Sequence, residues 1–257
     1  MKKFKLLFLV PALFSMAACG LGQEVNADKA KEIAKNMNAE GADTYEATIS
    51  MTTYDAEEKE TTKMNYVLKR NADGDIQASM KAESTGGENE YKSDIEIYKV
   101  KNDQYDEVIY MKYYDDEDKK DDINVYVKKG NELSYATIAS SVNLELGSLN
   151  AYFYDADELV AAIEMAEAEA KKDDNIEIKY YSTGNNNLTI KETAKQSDDD
   201  DAYYGESTIT FDKGLLTNSE SKMQNKAGDK IELKVSIKYP SSLKISLPNG
   251  WESYIEK

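Results

Sequence analysis

The sequence predicts an α+β fold: a large curved antiparallel sheet, a half-barrel of about 11 strands, with two or three helices on its concave face. Three observations predict it. Apolar and polar residues alternate with a period of two in many short stretches. Glycine-containing turns separate these stretches at hairpin lengths. Few segments have helical spacing. The 19 tyrosines fit this fold, because tyrosine favours strands and buries its ring while its hydroxyl stays hydrated.

The strands are predicted from the alternation. In the first, Tyr45, Ala47, Ile49 and Met51 alternate with polar residues, which is typical of a strand with one buried face. The same pattern predicts strands at residues 64–68, 76–80, 123–127, 176–180, 209–211 and 231–239, and a last short one at 243–247. Residues 95–97 and 108–114 are further candidate strands, although the run 108–114 does not select a face. Because the turns are short, the sheet should be a mainly antiparallel meander.

Two helices are predicted with defined starts, and a third without one. Asn26 can cap a helix that runs to about residue 38. Asp155 begins a capping-box-like motif, and the helix after it places Leu159 and Ile163 on one apolar stripe with several alanines. Residues 134–141 predict a shorter helix, although their β-branched content is unfavourable. Since these helices have small apolar faces, we expect the sheet to curl around them and leave space between.

The N-terminus has the features of a secretory signal peptide over residues 1–18, with three lysines before a short apolar run. That run is too short to span a membrane, which needs roughly 20 apolar residues. It ends in Met16-Ala17-Ala18-Cys19, which resembles the lipobox of bacterial lipoproteins, so Cys19 is the predicted lipidation site. The alternative is an ordinary signal peptide cleaved after Ala18. In the lipoprotein interpretation, residues 19–25 form a short tether and residues 26–257 a single domain.

Lipidation predicts a position at the cell membrane, on its extracytoplasmic face, with acyl chains such as palmitate as the anchor. Removal of residues 1–18 takes away three lysines, so the net charge changes from −17 to −20. Anionic lipid headgroups repel a protein surface with this negative charge, so the acyl anchor must hold the protein at the membrane. The abundance of Lys, Asn, Asp and Tyr suggests a low-GC Gram-positive host.

The composition excludes several classes of function. Without histidine there is no Ser-His-Asp triad and no histidine-ligated zinc or haem, and a single cysteine cannot form a disulfide within the chain. The acidic charge argues against a nucleic-acid partner. Residues 71–75 resemble a calcium loop but lack its spacing, so a hairpin turn is the better interpretation. The acidic runs 115–122 and 198–201 are predicted to be exposed loops. We therefore expect no enzyme, no cofactor and no metal site.

The order of elements resembles that of the LolA/LolB-like superfamily, which includes lipid-binding lipoproteins of the LppX type. The C-terminal sequences Val235-Ser236-Ile237-Lys238-Tyr239 and Lys244-Ile245-Ser246-Leu247-Pro248 are similar to the closing strands of such proteins in Gram-positive bacteria. The resemblance covers most of residues 26–257. It implies a LolA-like domain that holds acyl chains or other lipids between a curved sheet and its helices.

Methionines on the predicted apolar faces give independent support for a ligand cavity, because methionine is flexible and adapts to a mobile acyl chain. The alternative is that these methionines fill gaps in an ordinary core. The predicted ligand-lining residues are Met37, Ile49, Met51, Met64, Tyr66, Ala78, Met80, Met111, Leu159 and Ile163.

Three functional hypotheses follow. The first is a membrane-anchored lipoprotein that binds or carries a hydrophobic ligand such as a lipid or acyl chain. The second is a surface scaffold lipoprotein with a filled core, whose acidic, tyrosine-rich exterior binds a basic protein partner. The third, an enzyme acting on cell-wall polymer through paired carboxylates, has no sequence context that marks one pair.

Overall fold

The computed structural model describes residues 22–37, 43–87, 90–115, 119–147, 156–196 and 202–255. Several predictions fall outside the described residues: the signal peptide 1–18, the lipidation site Cys19, the helix start at Asp155 and the acidic run 198–201.

The described chain forms twelve strands and three α-helices. The strands are β1 (Gln23–Val25), β2 (Tyr45–Asp55), β3 (Glu60–Arg70), β4 (Ile76–Thr85), β5 (Tyr91–Asn102), β6 (Asp106–Asp115), β7 (Lys120–Val127), β8 (Ile176–Gly184), β9 (Asn187–Ala194), β10 (Tyr204–Asp212), β11 (Leu215–Gln224) and β12 (Lys230–Lys238). The helices are α1 (Ala27–Lys35), α2 (Glu132–Gly147) and α3 (Ala156–Ala170), and a short 3-10 helix covers Trp251–Tyr254.

The twelve strands belong to one large antiparallel sheet, in the order β1-β8-β9-β10-β11-β12-β2-β3-β4-β5-β6-β7. The sheet is not closed, since β1 and β7 are its edge strands. The predicted large antiparallel sheet with two or three helices is therefore confirmed, with twelve strands. The chain divides into two compact units, the first made of residues 1–38 and 155–234 and the second of residues 39–154 and 235–257. The single domain 26–257 stays a prediction.

In the first unit, α1 and α3 pack against each other and against β8. The predicted cap is present: the Asn26 side chain accepts a hydrogen bond of 2.8 Å from the backbone N–H of Lys29. Both helices bury their small apolar stripes, with Ile33 of α1 and Ile163 of α3 fully buried. An ion pair of 3.3 Å between Lys31 and Glu167 joins the two helices at the rim of this contact.

In the second unit, β2 to β7 form an antiparallel meander. The C-terminal 3-10 helix contacts β7, and Trp251 joins a buried cluster with Val108, Tyr110, Val125 and Val127. A parallel bridge between Val125 and Ile255 places the C-terminal segment along β7. Packing and this backbone pairing thus hold the segment after β12 in place.

Two turns with the same pattern, Asn-x-x-Gly-Asp, connect β3 to β4 and β11 to β12. In the first, the Asn71 side-chain oxygen accepts from the N–H of Asp75 at 2.9 Å, and its amide donates to the Asp75 carboxylate at 3.0 Å. Asn225 makes the equivalent bonds with Asp229 at 2.9 and 2.8 Å. Asp75 also accepts from the N–H of Lys101 at 2.7 Å. Residues 71–75 are therefore a hairpin turn, as predicted.

Several elements differ from the prediction. Strands β1, β9 and β11 were not predicted, and β1 occupies part of the predicted tether. Residues 243–247 are not a strand; Ile245 is buried and Leu247 packs on the Trp251 cluster, so the alternation reflects burial without strand pairing. The acidic run 115–122 is not one loop, because β6 continues to Asp115 and β7 begins at Lys120.

Helix α2 is longer than the predicted segment 134–141. Its hydroxyl side chains bond back to carbonyls one turn earlier, as in the 3.1 Å bond from Thr137 to Leu133 and the 3.0 Å bond from Ser140 to Ala136. These bonds satisfy side chains that would otherwise compete with the helical backbone.

Candidate functional site

The sheet of the second unit has one face that carries seven of the ten predicted lining residues. We call it the methionine face: the side of β2 to β6 on which Ile49, Met51, Met64, Tyr66, Ala78, Met80 and Met111 lie. The strand register places them together, because directly paired residues share a face of the sheet. Three rows of paired residues cross the strands: Met51–Met64–Ala82, Ile49–Tyr66–Met80–Ile95–Tyr113, and Ala47–Leu68–Ala78–Ile97–Met111.

Burial changes along this face. In the third row Ala47, Leu68, Ala78 and Ile97 are buried, with Leu68 only 2% exposed. Every methionine of the face is half-buried, as are the neighbouring Ile49 and Tyr66. From strand spacing and rise, the three rows cover roughly 19 Å across the strands and roughly 13 Å along them. The methionine face is thus buried at the end formed by the third row. Its apolar surface becomes accessible toward Met51 and Met64.

Polar residues bound the methionine face at its accessible end. The next row along the strands is Thr53–Thr62–Ser84–Tyr91, and each of its members bears a hydroxyl. The Thr62 hydroxyl donates to the Glu60 carboxylate at 3.2 Å. Ser84 is buried at 2% exposure and also donates to Glu60. Because Glu60 accepts hydrogen bonds from two of these hydroxyls, the apolar surface ends at a hydrogen-bonded margin.

A charged cluster bounds the face at its buried end. Tyr135 of α2 donates to the Glu107 carboxylate, and Lys99 lies 3.5 Å from the same carboxylate. Burial raises the pKa of the Tyr135 hydroxyl well above its usual value, and its hydrogen bond to Glu107 raises it further. Tyr135 therefore stays protonated as a donor and fastens α2 to the sheet at this point.

The opposite face of the same sheet contains an open cavity of about 420 Å³. Residues from β3, β4, β5 and β6 line it, and Lys63 pairs with Glu83 at 3.5 Å and Lys81 with Asp94 at 2.8 Å across the strands there. The hydrogen bond to Asp94 raises the pKa of Lys81. Its lining residues are Lys63, Asn65, Lys81, Ala82, Glu83, Lys92, Ser93, Asp94 and Tyr114. Most of these residues are charged or polar, so the lining suits polar contacts.

The three remaining predicted lining residues, Met37, Leu159 and Ile163, lie in the first unit, and all are buried. Leu159 and Ile163 are on the stripe by which α3 packs inside this unit. The structure therefore separates the predicted set into two groups, seven on the methionine face and three in the helical core of the first unit. Whether any of the ten contacts a ligand stays a prediction.

The first unit also buries polar groups on the apolar face of its strands. Glu192, Ser207 and Ser221 form one row across β9, β10 and β11, and Ser219 lies in the adjacent row. Within the described residues, Glu192 Oε2 and the hydroxyls of Ser219, Ser221 and Tyr180 are buried without a hydrogen-bond partner. Desolvation raises the pKa of the Glu192 carboxyl. Each such group costs stability, because water no longer solvates it.

Sequence reasoning missed Ile95 and Tyr113, which share the central row of the methionine face. The alternation in 95–97 placed Ile95 on a strand, but only the pairing with Met80 places it on this face. The run 108–114 alternates too weakly to select a face, so Tyr113 had no usable signal.

Within the described ranges, no group of three or more acidic, cysteine or histidine side chains is arranged to hold a metal ion. The same ranges contain no helix with the length and apolarity needed to cross a bilayer.

The sequence matches no protein-family model and no curated protein. Among solved structures, the chain is similar to LprF from Mycobacterium bovis, with 10% identity and a TM-score of 0.32 over 89% of this chain and 100% of that one. It is also similar to an outer membrane lipoprotein-sorting protein domain from Vibrio parahaemolyticus, with 12% identity and a TM-score of 0.25 over 85% and 95% of the two chains.

A third similar structure is a DUF1329 family protein from Desulfovibrio piger, with 10% identity and a TM-score of 0.23 over 85% of this chain and 93% of that one. All three matched structures share 12% identity or less with this chain. At TM-scores between 0.23 and 0.32, no ligand, activity or location follows from them.

Proposed function

We propose that this protein is a lipoprotein, anchored through Cys19 to the extracytoplasmic face of the cell membrane, that binds the acyl chain of a lipid on the methionine face. Binding is passive, without a cofactor or a catalytic step. The observation that carries the proposal is the register of β2 to β6, which assembles four methionines with Ile49, Tyr66, Ile95 and Tyr113 on one half-buried surface.

The composition of this surface supports an adaptable ligand. A half-buried methionine retains several rotamers, and its polarisable thioether makes contacts with chains of different shape. Covering the surface with an acyl chain would contribute about 0.8 kcal/mol for each CH₂ group removed from water. A chain lying across several strands could therefore bind stably through apolar contacts alone.

The margins of the methionine face support a defined position for the ligand. The row Thr53–Thr62–Ser84–Tyr91 limits the apolar surface at one end, and the Lys99–Glu107–Tyr135 cluster limits it at the other. Moving a methylene group past either margin would place it against hydrogen-bonded or charged groups and lose its apolar contacts. The ligand segment that binds should therefore be apolar along its whole length.

The first test is organic extraction of the purified chain followed by mass spectrometry, with a fluorescent fatty-acid analogue as a binding probe. The proposal expects a co-purified lipid and saturable probe binding that a natural fatty acid displaces. Met80→Gln should weaken probe binding, because it places an amide in the central row of the methionine face. Val67→Gln is the matched control: Val67 is also half-buried and lies on an adjacent strand, but it faces the other side of the sheet.

Equal weakening by both variants would assign the effect to loss of stability. A chain that carries no lipid and binds no probe would contradict the proposal, and capture of a basic protein lost at high salt would then favour a surface scaffold.

A further inference from the structure

Strand β1 fixes the start of the described chain to the first unit. Its three residues pair with the end of β8, Gln23 with Ser182, Glu24 with Tyr181 and Val25 with Tyr180. Because the pairing is antiparallel, the chain before Gln23 leaves the sheet beside Thr183, next to the turn that joins β8 to β9. The N-terminal segment is therefore held at one end of these strands.

Gly22 allows the backbone before β1 to approach the backbone of β8 closely. A Cβ atom at this position would lie 2.4 Å from the Ser182 carbonyl oxygen, and the backbone has a φ of +92°. Both features require glycine, since a side chain would collide with the β8 backbone and strain its own. The attachment of β1 to β8 therefore begins at Gly22, three residues after Cys19.

The exposed residues at this end form a compact surface, which we call the turn end: Thr183, Gly184, Asn185 and Asn186 with Lys213 from the neighbouring turn between β10 and β11. The two turns are joined, because the N–H of Lys213 donates to the Asn186 carbonyl at 2.6 Å. Asp174 is exposed before the start of β8, at the other end of the strands and roughly 30 Å away.

We propose that the turn end is the surface that faces the lipid bilayer. The inference rests on lipidation of Cys19, which is part of the proposed function. Between Cys19 and Gln23 the chain can extend at most about 14 Å, because each residue spans no more than about 3.5 Å. An anchor of this length, attached beside Thr183, brings the turn end to the membrane and keeps the other end of the strands away from it.

The charges agree with this orientation. Thr183, Gly184, Asn185 and Asn186 are uncharged, and Lys213 offsets the adjacent Asp212, in a protein whose net charge is −17. The connection between β9 and β10, which leaves from the far end of the strands, contains four consecutive aspartates at 198–201. Anionic headgroups repel acidic groups, so the uncharged end approaches the bilayer at the lowest electrostatic cost.

The test uses the full lipidated chain in vesicles of phosphatidylcholine and phosphatidylglycerol that carry a nitroxide quencher at the headgroup. Cys19 is the only cysteine, and acylation consumes its thiol, so Asn185→Cys or Asp174→Cys provides a single labelling site. We expect strong quenching of a fluorophore at position 185 and little at position 174. Gly22→Ala should reduce this difference, because it releases β1 from β8 and lengthens the tether.

Flotation of the protein with the vesicles tests lipidation of Cys19 separately from the orientation of the turn end. If the chain floats and both labels are quenched equally, the orientation is wrong while lipidation stands. If the chain does not float, the proposed lipidation is wrong, and the proposed orientation, which depends on it, is wrong as well. A difference between the labels that Gly22→Ala leaves unchanged would overturn the role of β1.

Discussion

The two units each contain a sheet face rich in apolar residues, but only one of these faces is closed. In the first unit, Leu188 and Phe211 are almost completely buried, and α1 and α3 pack beside them on β8 and β9. On the methionine face of the second unit, Met51, Met64, Met80 and Met111 are all half-buried. The closed face uses branched and aromatic side chains, whereas the accessible one uses a flexible side chain at four positions.

This difference separates a structural surface from a candidate binding surface. Branched and aromatic residues pack into one arrangement, and their burial stabilises the fold directly. Methionine tolerates several arrangements and specifies none of them strongly. The closed face also includes buried polar atoms, among them Glu192 Oε2 and the Ser221 hydroxyl, which reduce its stability. Three sets of substitutions test this comparison.

The largest expected effect is the contrast between Leu188→Ala and Met64→Ala. Leu188 has no exposed surface, so its truncation should lower the free energy of unfolding by about 3 kcal/mol through lost contacts and the cavity left behind. Met64 is half-buried, and its truncation should cost about 1 kcal/mol. Urea unfolding of the ligand-free protein measures both. Equal costs would mean that the methionine face is as tightly packed as the closed one.

A smaller, pH-dependent effect is expected at Glu192. Since burial raises the pKa of this carboxyl in the folded state, its contribution to stability is complete below the unfolded pKa of about 4.3 and is lost as the pH rises through the folded pKa. Glu192→Gln should therefore be more stable than the natural chain at neutral pH, by about 1 kcal/mol, and this gain should shrink in acid. Thermal unfolding at several pH values measures the difference between the two chains.

Glu206→Gln is the matched control for this effect. Glu206 lies on the opposite face of the neighbouring strand, where it pairs with Lys191 at 3.0 Å. Its substitution removes an ion pair and should not stabilise the protein at neutral pH. Higher stability of both variants would indicate that the lower net negative charge causes the gain, and not the removal of a buried carboxylate.

The smallest expected effect is at Ser221. Ser221→Ala replaces a buried, unpartnered hydroxyl group with a hydrogen atom. This substitution should raise the free energy of unfolding by about 0.5 kcal/mol, because no hydrogen bond is lost. Chemical unfolding midpoints would detect the change. Ser84→Ala is the contrasting variant, since the Ser84 hydroxyl donates to Glu60 and its removal should destabilise. Destabilisation by Ser221→Ala would indicate a hydrogen bond at this hydroxyl.

The sequence predicted the elements that have both regular burial and local signals. The alternation from Tyr45 to Met51 corresponds to β2, and the Asn26 cap begins α1 as expected. Strand β11 was missed because Ser219 and Ser221 occupy its buried face, so its alternation is not apolar. Strand β1 has only three residues and depends on β8 for its pairing.

The candidate site was predictable in composition but not in extent. Single-strand alternation identified seven residues of the methionine face. The contributions of Ile95 and Tyr113 depend on which strands are neighbours and how they are aligned. Periodicity within one strand contains neither piece of information. The same limit explains why Met37, Leu159 and Ile163 were grouped with residues that belong to the other unit.

The parallel bridge between Val125 and Ile255 has a consequence for solubility. Strand β7 ends the sheet, and an uncovered edge strand offers its backbone N–H and C=O groups to other chains, which promotes edge-to-edge aggregation. The C-terminal segment occupies part of that edge, and Trp251 holds it in place through the cluster with Val125 and Val127. The segment from Trp251 to Ile255 therefore prevents part of the β7 edge from pairing with another chain.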